Sequence, residues 1–304
     1  MPSDAPPRIA IPMPHSTDHE YGERAIPQYE SAVKQAGGEP IRIPLDRTAA
    51  DIKKMIDSCD GVLLPGSNAD VDPASFGADR SPHTAAADPR RDAVDALLLE
   101  DAYNLRKPVL GICYGLQSLN VFHAGSLIQH IPDFLPEALR TRVNHEAGGK
   151  IAVAHAVEID RDSKLAEIVN GTANGNDREG LGLSKPALSK RSASKGADRD
   201  SGSNGVSAPA GKLVLPVNSS HHQSADTIGD GLRISARCPD DGIIEALEGS
   251  APDHFVIAVQ WHPERSVDQD APSRAIFRAL IQAAKIKAGE TQAAGIQAVE
   301  ARLK

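Results

Sequence analysis

Short apolar runs alternate with amphipathic stretches along the first third of the chain. Arg8 to Pro12 (R-I-A-I-P) has the pattern of a first strand, and Arg24 to Gln35 carries Ile26, Tyr29, Ala32 and Val33 at helical spacing before Gly37-Gly38 ends it. Pro40 to Pro44 reads as a strand, Thr48 to Ser58 as a capped helix, and Gly61 to Leu64 as a third strand entering the loop P-G-S-N-A-D-V-D-P. Asp88 to Arg106 predicts a long helix with Val94, Leu97, Leu98 and Ala102 on one face. Strands that alternate with helices in short units imply a parallel sheet covered on both sides, with ligands at the carboxyl ends of the strands. The expected fold class is therefore α/β.

That helix feeds the stretch on which the rest turns, Lys107 to Gln117 (K-P-V-L-G-I-C-Y-G-L-Q). Val109, Leu110 and Ile112 suit a strand buried on both faces. Gly111 and Gly115 leave room for a sharp turn with Cys113 at its apex, and a helix follows. A nucleophile elbow works in this way: the turn exposes the nucleophile, and the helix start offers N–H groups to an anion. The residues alone leave a second reading open, a buried structural cysteine.

Farther on, Lys150 to Ile159 reads as a strand and Ser163 to Val169 as a short helix capped by Ser163. Thr172 to Lys212, 41 residues of mostly Gly, Ser, Ala, Asn, Lys, Arg and Asp, has no apolar period and is expected to be a disordered insertion. Deleting it is expected to leave folding and turnover largely intact. Strand-like runs resume at Leu213, Leu232 to Ala236, Ile243 to Leu247 and Phe255 to Trp261, and Pro272 to Lys287 carries a helical stripe of Ile276, Phe277, Leu280 and Ile281. A helical tail is expected after residue 288. No internal repeat is present, and the expectation is one domain over residues 1–304.

Composition changes this picture little. Aromatics are 3% against 40% apolar residues, so the core must be aliphatic. A net charge of −8 disfavours nucleic acid and anionic membranes as partners. The three cysteines, Cys59, Cys113 and Cys238, lack C-x-x-C spacing, which disfavours a disulfide framework or a structural zinc site and fits a reducing compartment. With no signal-like leader and no span-length apolar run, the expected location is cytoplasmic. A homo-oligomer is compatible with the sequence.

The Phe255 to Trp261 run leads straight into His262-Pro263-Glu264. A thiol nucleophile needs a base, and the base needs an acceptor that fixes its tautomer; Cys113, His262 and Glu264 can supply those three roles. Alone, H-P-E also fits a surface loop. Together, G-I-C-Y-G-L-Q, L-P-G-S-N-A-D-V-D-P-A-S-F-G, V-N-S-S-H-H-Q and A-V-Q-W-H-P-E resemble the class I glutamine amidotransferase superfamily, and within it the peptidase C26 branch of γ-glutamyl-γ-aminobutyrate hydrolases. The likeness runs from about Arg8 to Ile281, interrupted by the insertion.

The resemblance implies a three-layer, flavodoxin-like, mostly parallel sheet with helices on both faces. It implies Cys113 as nucleophile, His262 as base and acid, Glu264 as its orienting partner, and the backbone N–H groups of Gly66 and Tyr114 as oxyanion hole. Gln117, Ser220, His221 and His222 would bind a small γ-glutamyl substrate, with no cofactor. Two positions depart from the pattern: Tyr114 stands where many C26 hydrolases carry Arg, and Ser67 replaces the second glycine of the P-G-G turn. Tyr114 is therefore expected at the pocket, where it would alter which amine leaves. The rival reading of His221-His222, a metal site, is set aside because strand neighbours point to opposite faces and no nearby carboxylate completes a ligand set. A glutaminase that feeds ammonia to a partner synthase and a non-catalytic sensor stay open as alternatives.

Overall fold

The computed structural model describes residues 5–171 and 211–302, with side chains described as far as residue 291. Most of the expected insertion, 172–210, lies outside the described residues. The first half alternates as read: β1 (Arg8–Pro12), α1 (His19–Gln35), β2 (Glu39–Ile43), α2 (Ala49–Asp57), β3 (Gly61–Leu64), α3 (Pro89–Leu105), β4 (Val109–Ile112) and α4 (Tyr114–Phe122). Then follow β5 (Leu127–Ile128), α5 (Ile131–Phe134), β6 (His155–Ile159), α6 (Lys164–Asn170), β7 (Leu213–Val217), β8 (Ser224–Ala225), β9 (Leu232–Arg237), β10 (Ile244–Gly249), β11 (Val256–Val259) and α7 (Ala271–Arg302).

Capping chemistry places the helix starts. Thr48 accepts from the Asp51 N–H, Asp88 from Arg90 and Arg91, and Ser163 from Ala166. The first helix begins five residues before the expected Arg24, because Asp18 caps it by accepting from the Tyr21 N–H; Pro27 is carried inside. The sixth strand is shorter than expected, since residues 150–154 stay outside the ladder.

Nine strands form one mixed sheet in the order β2-β1-β3-β4-β11-β10-β9-β6-β7. The first five are mutually parallel, and the remaining pairings are antiparallel, so β9 and β7 run with the first five and only β10 and β6 run against them. Pro216, which cannot donate to a ladder, sits in the edge strand β7. A separate pairing of β5 with β8 was not foreseen.

The central strands are apolar on both faces, as helices on both sides require. Ile9, Ile11, Leu63, Leu110, Ile112, Ile257 and Val259 pack with Ile26, Tyr29, Phe277 and Leu280 of α1 and α7. Their neighbours Ala10, Val62, Leu64, Val109, Val256 and Ala258 pack with Ile52, Val94, Leu98 and Leu116 of α2, α3 and α4. Among the described residues no helix is long and apolar enough to cross a membrane.

This order brings three parallel strands side by side at the middle of the sheet: β3, β4 and β11. Leu64 pairs with Gly111, and Ile112 with Val259. Their carboxyl ends therefore deliver Pro65-Gly66, Cys113 and Trp261-His262 to one edge.

Candidate active site

The elbow depends on two glycines that admit no side chain. A Cβ on Gly115 would overlap the Leu64 carbonyl at the end of β3, and one on Gly111 would come to 2.8 Å from the Gly115 carbonyl oxygen. Strand, turn and helix can close up only because both positions are bare. At the apex Cys113 adopts φ 53°, ψ −104°, a conformation that typically costs a non-glycine residue about 1–3 kcal/mol. Its N–H donates to the Val259 carbonyl at 2.8 Å, and its carbonyl accepts the N–H groups of Leu116 and Gln117. The N–H groups of Tyr114 and Gly115 precede the first intrahelical bond and are the free donors of a helix start.

His262 is buried, and its Nδ1 lies 2.7 Å from Glu264 Oε1. Burial pulls the imidazole downward, but the Glu264 carboxylate and the Cys113 sulfur outweigh it and raise its pKa to about 9. Burial pushes Glu264 up, and the facing His262 and Arg265 charges more than reverse this, holding the carboxylate below its ordinary value. The main chain of His262 is clamped from both sides by one side chain. Asn218 Oδ1 accepts its N–H at 2.9 Å, and Asn218 Nδ2 donates to its carbonyl at 2.8 Å. Gly66 closes the site, since a Cβ there would lie 3.0 Å from His262 Cε1 and 3.6 Å from Cys113 Cβ. A thiol, an imidazole and a carboxylate thus lie at one sheet edge beside helix-start N–H groups, a set that can carry out nucleophilic acyl transfer.

The family model of peptidase C26 matches residues 9–189 and 202–264. The chain belongs to the peptidase C26 family. It is 31% identical over 291 residues to a glutamine amidotransferase-like protein of Rickettsia prowazekii, spanning 84% of this chain and 88% of that protein. It is 29% identical over 269 residues to the γ-glutamyl-γ-aminobutyrate hydrolase of Escherichia coli (strain K12), spanning 87% and 88%. Among solved structures, a GMP synthase component from Thermoplasma acidophilum superposes with a TM-score of 0.52 at 13% identity, over 97% of this chain and 99% of that one. The glutaminase domain of a Trypanosoma brucei CTPS gives 0.50 at 15% identity, over 91% and 93%. These two show the fold alone: the glutamine amidotransferase sheet. This C26 protein is a hydrolase of amide bonds, with a γ-glutamyl hydrolase or amidotransferase-like activity.

The structure bears on several expectations about the pocket. The Gly66 N–H, expected in the oxyanion hole, donates to the Tyr29 hydroxyl at 3.0 Å, which leaves that expectation standing if the hydroxyl yields. Tyr114 does not face the pocket with its side chain. Its ring is buried against Ala69, Val71 and Leu127 with the Arg91 guanidinium 4.8 Å above it, and its hydroxyl donates to Asp92. Gln117 is buried, and its amide nitrogen donates to the Gln223 carbonyl and Gln260 Oε1 at 3.3 and 3.4 Å.

His221 and His222 lie outside any strand, in the bend between β7 and β8, so the strand argument does not apply to them; they meet different partners. His222 Nε2 lies 3.1 Å from Asp70 Oδ1, and that hydrogen bond raises its pKa. His221 is buried, with Nδ1 2.9 Å from the Gln223 carbonyl. The ground for setting a metal aside is also overturned: Glu245, from β10, brings a carboxylate oxygen 3.6 Å from His221 Nε2. Ser220 is half-buried at the same bend. A cleft lined by residues that include Ile131, Leu135, Arg140, His145, His221 and His222 opens beside this segment, and neither Cys113 nor His262 lines it.

Sequence reasoning passed over Tyr29, Asn218 and Arg91. Asn218 lies inside V-N-S-S-H-H-Q, where the histidines drew attention instead. Arg91 and Asp95 have the i, i+4 spacing of a solvated pair, yet both are fully buried. Arg91 donates to Asp95 Oδ1 at 2.7 Å, to the Pro65 carbonyl at 2.7 Å and to the Pro14 carbonyl at 3.1 Å, fixing the loop that carries Gly66.

Proposed function

We propose that this protein is a cysteine-dependent hydrolase of γ-glutamyl amides, acting on γ-glutamyl-γ-aminobutyrate or a related γ-glutamyl amine. The observation that carries the reading is the buried contact of His262 with Glu264, 2.7 Å long, beside the strained Cys113. The identity of the E. coli relative supports the substrate class.

Cys113 as thiolate attacks the δ-carbonyl of the γ-glutamyl group, and the Tyr114 N–H donates to the oxyanion. The Gly66 N–H joins it where the Tyr29 hydroxyl gives way. His262, as imidazolium, protonates the departing amine, leaving a γ-glutamyl thioester on Cys113. Neutral His262 then takes a proton from water, which attacks the thioester and releases glutamate. Glu264 holds the imidazole in the tautomer with its Nδ1 proton inward and balances its charge. Removal of one oxyanion donor or the base from such a site costs on the order of a hundredfold or more in rate.

The test is a panel of γ-glutamyl-γ-aminobutyrate, other γ-glutamyl amines and glutamine, each assayed for glutamate release by the protein alone. Turnover of γ-glutamyl amines is the expected result. Turnover of glutamine only, and only with an ammonia-accepting synthase added, would favour an amidotransferase component of a larger complex. No turnover of any member would favour a sensor on the same fold.

A further inference from the structure

Behind the segment that clamps His262, three imidazoles and one carboxylate converge from four separate parts of the chain. His145 comes from the loop before β6, His155 from the start of β6, His221 from the bend after β7 and Glu245 from β10. All four are buried, Glu245 completely. His145 Nδ1, His155 Nε2 and His221 Nε2 lie 3.3, 3.5 and 3.6 Å from Glu245 Oε1, and the four ligand-type atoms all lie within 4.8 Å of one another. None of these atoms, nor Glu245 Oε2, has a hydrogen-bond partner.

The outer ring nitrogens explain why. His145 Nε2 is 2.8 Å from Asp241 Oδ2, His155 Nδ1 is 3.0 Å from the Ala156 carbonyl, and His221 Nδ1 is 2.9 Å from the Gln223 carbonyl. Carbonyls and carboxylates only accept, so each outer nitrogen carries the ring proton, and each inner nitrogen of a neutral imidazole presents a lone pair. Three lone pairs then face a carboxylate with no donor among them. A second proton on one ring would satisfy one nitrogen and leave two opposed to the anion. Such a set of buried acceptors is costly unless a cation lies between them.

The spacings from Glu245 Oε1 suit a metal. Ligands about 2.0–2.1 Å from a tetrahedral zinc stand about 3.3–3.4 Å apart, close to the three distances from Glu245 Oε1. Backing each ring with a carboxylate or carbonyl is how protein sites orient metal-binding histidines. Three imidazoles and a carboxylate oxygen supply four protein ligands, the number of a closed, structural site, and imidazole ligands suit zinc. The charges close as well: a divalent ion offsets Glu245 and the Asp241 carboxylate on His145.

We propose that His145, His155, His221 and Glu245 bind one structural zinc ion. The ion ties β6 and β10 to the V-N-S-S-H-H-Q segment, so it braces Asn218 and through it the main chain of His262. It touches none of the reacting groups, and the four residues serve as positioning residues.

The experiment is elemental analysis of untagged full-length protein grown with zinc, beside His155→Ala, Glu245→Gln and Cys113→Ala. About one zinc per chain is expected in wild type and in Cys113→Ala, falling below about a tenth in the other two. In case those variants fold poorly, chelator-stripped wild type is titrated with zinc and then with cobalt. Zinc should restore the lost Tm, and cobalt should give the intense visible bands of a tetrahedral ion. Wild type without stoichiometric zinc and with no Tm response would overturn the site. Zinc retained by folded His155→Ala and Glu245→Gln would overturn the ligand assignment. Neither readout depends on turnover, so the site and the proposed activity stand or fall separately.

Discussion

Glu264→Gln removes one charge from the site and almost nothing of its shape. His262 is held at about 9 against an ordinary 6.5, in spite of burial, and that rise corresponds to roughly 3 kcal/mol in favour of the imidazolium. The Glu264 carboxylate at 2.7 Å is the largest favourable contributor, and without it the buried ring has only the Cys113 sulfur as counter-charge. The imidazolium is the acid that expels the amine, so the alkaline limb of kcat/KM reports its loss. That limb should lie near pH 9 in the wild type and move at least about one unit lower in the variant, with kcat at pH 8 down roughly a hundredfold or more. Because the folded pKa is raised, the associated stability is fully present below pH 6.5 and lost as pH rises through about 9. Tm of the wild type should therefore fall more across that window than Tm of Glu264→Gln. The assay is glutamate release from a γ-glutamyl amine between about pH 5 and 10, with thermal unfolding in the same buffers. An alkaline limb that stays in place in an active Glu264→Gln protein would refute the assigned role.

Asn218→Ala removes both clamps on the His262 main chain, and each hydrogen bond of this kind is worth about 0.5–1.5 kcal/mol; kcat should fall about tenfold or more with KM little changed. An unchanged kcat would show that the clamp is dispensable. Gly115→Ala forces a Cβ into the Leu64 carbonyl, and a loss of about 1–3 kcal/mol or outright misfolding is expected from thermal or urea unfolding. Arg91→Leu leaves Asp95 buried without its partner and should cost about 3–5 kcal/mol, part of which Arg91→Leu/Asp95→Leu recovers. Tyr29→Phe releases the Gly66 N–H; kcat should hold or rise, and a fall of more than about tenfold would show that the Tyr29 hydroxyl supports the reaction rather than merely occupying that donor.

The parts readable in advance were those governed by local rules. Apolar alternation located β1, β3, β4 and β11, and capping residues Thr48, Asp88 and Ser163 marked helix starts, because each depends on neighbours in sequence. The turn at Cys113 was readable for the same reason, from two glycines around an apex residue after an apolar strand, although those residues alone left a buried structural cysteine open. The meeting of Gly66, Cys113 and His262 needed the fold as well, since it is the parallel order β3-β4-β11 that brings them to one edge.

What could not be read was long-range polar pairing. Nothing near Tyr29 in the chain announces that its hydroxyl reaches Gly66 across 37 positions, and Arg91 hides a buried bracket behind the spacing of a surface pair. The histidine pair at 221–222 shows the limit most sharply. The pair was read as strand neighbours but lies in a bend, the carboxylate that meets His221 comes from β10, and the two other imidazoles come from positions 145 and 155. No local pattern connects those four.

The most direct test of the central claim is mass spectrometry of the protein quenched during turnover of γ-glutamyl-γ-aminobutyrate. The account predicts a glutamyl adduct on the peptide containing Cys113, lost on treatment with hydroxylamine and absent from Cys113→Ala, which also releases no glutamate. Glutamate release by Cys113→Ala at the wild-type rate, or a glutamyl adduct on a different residue, would contradict it.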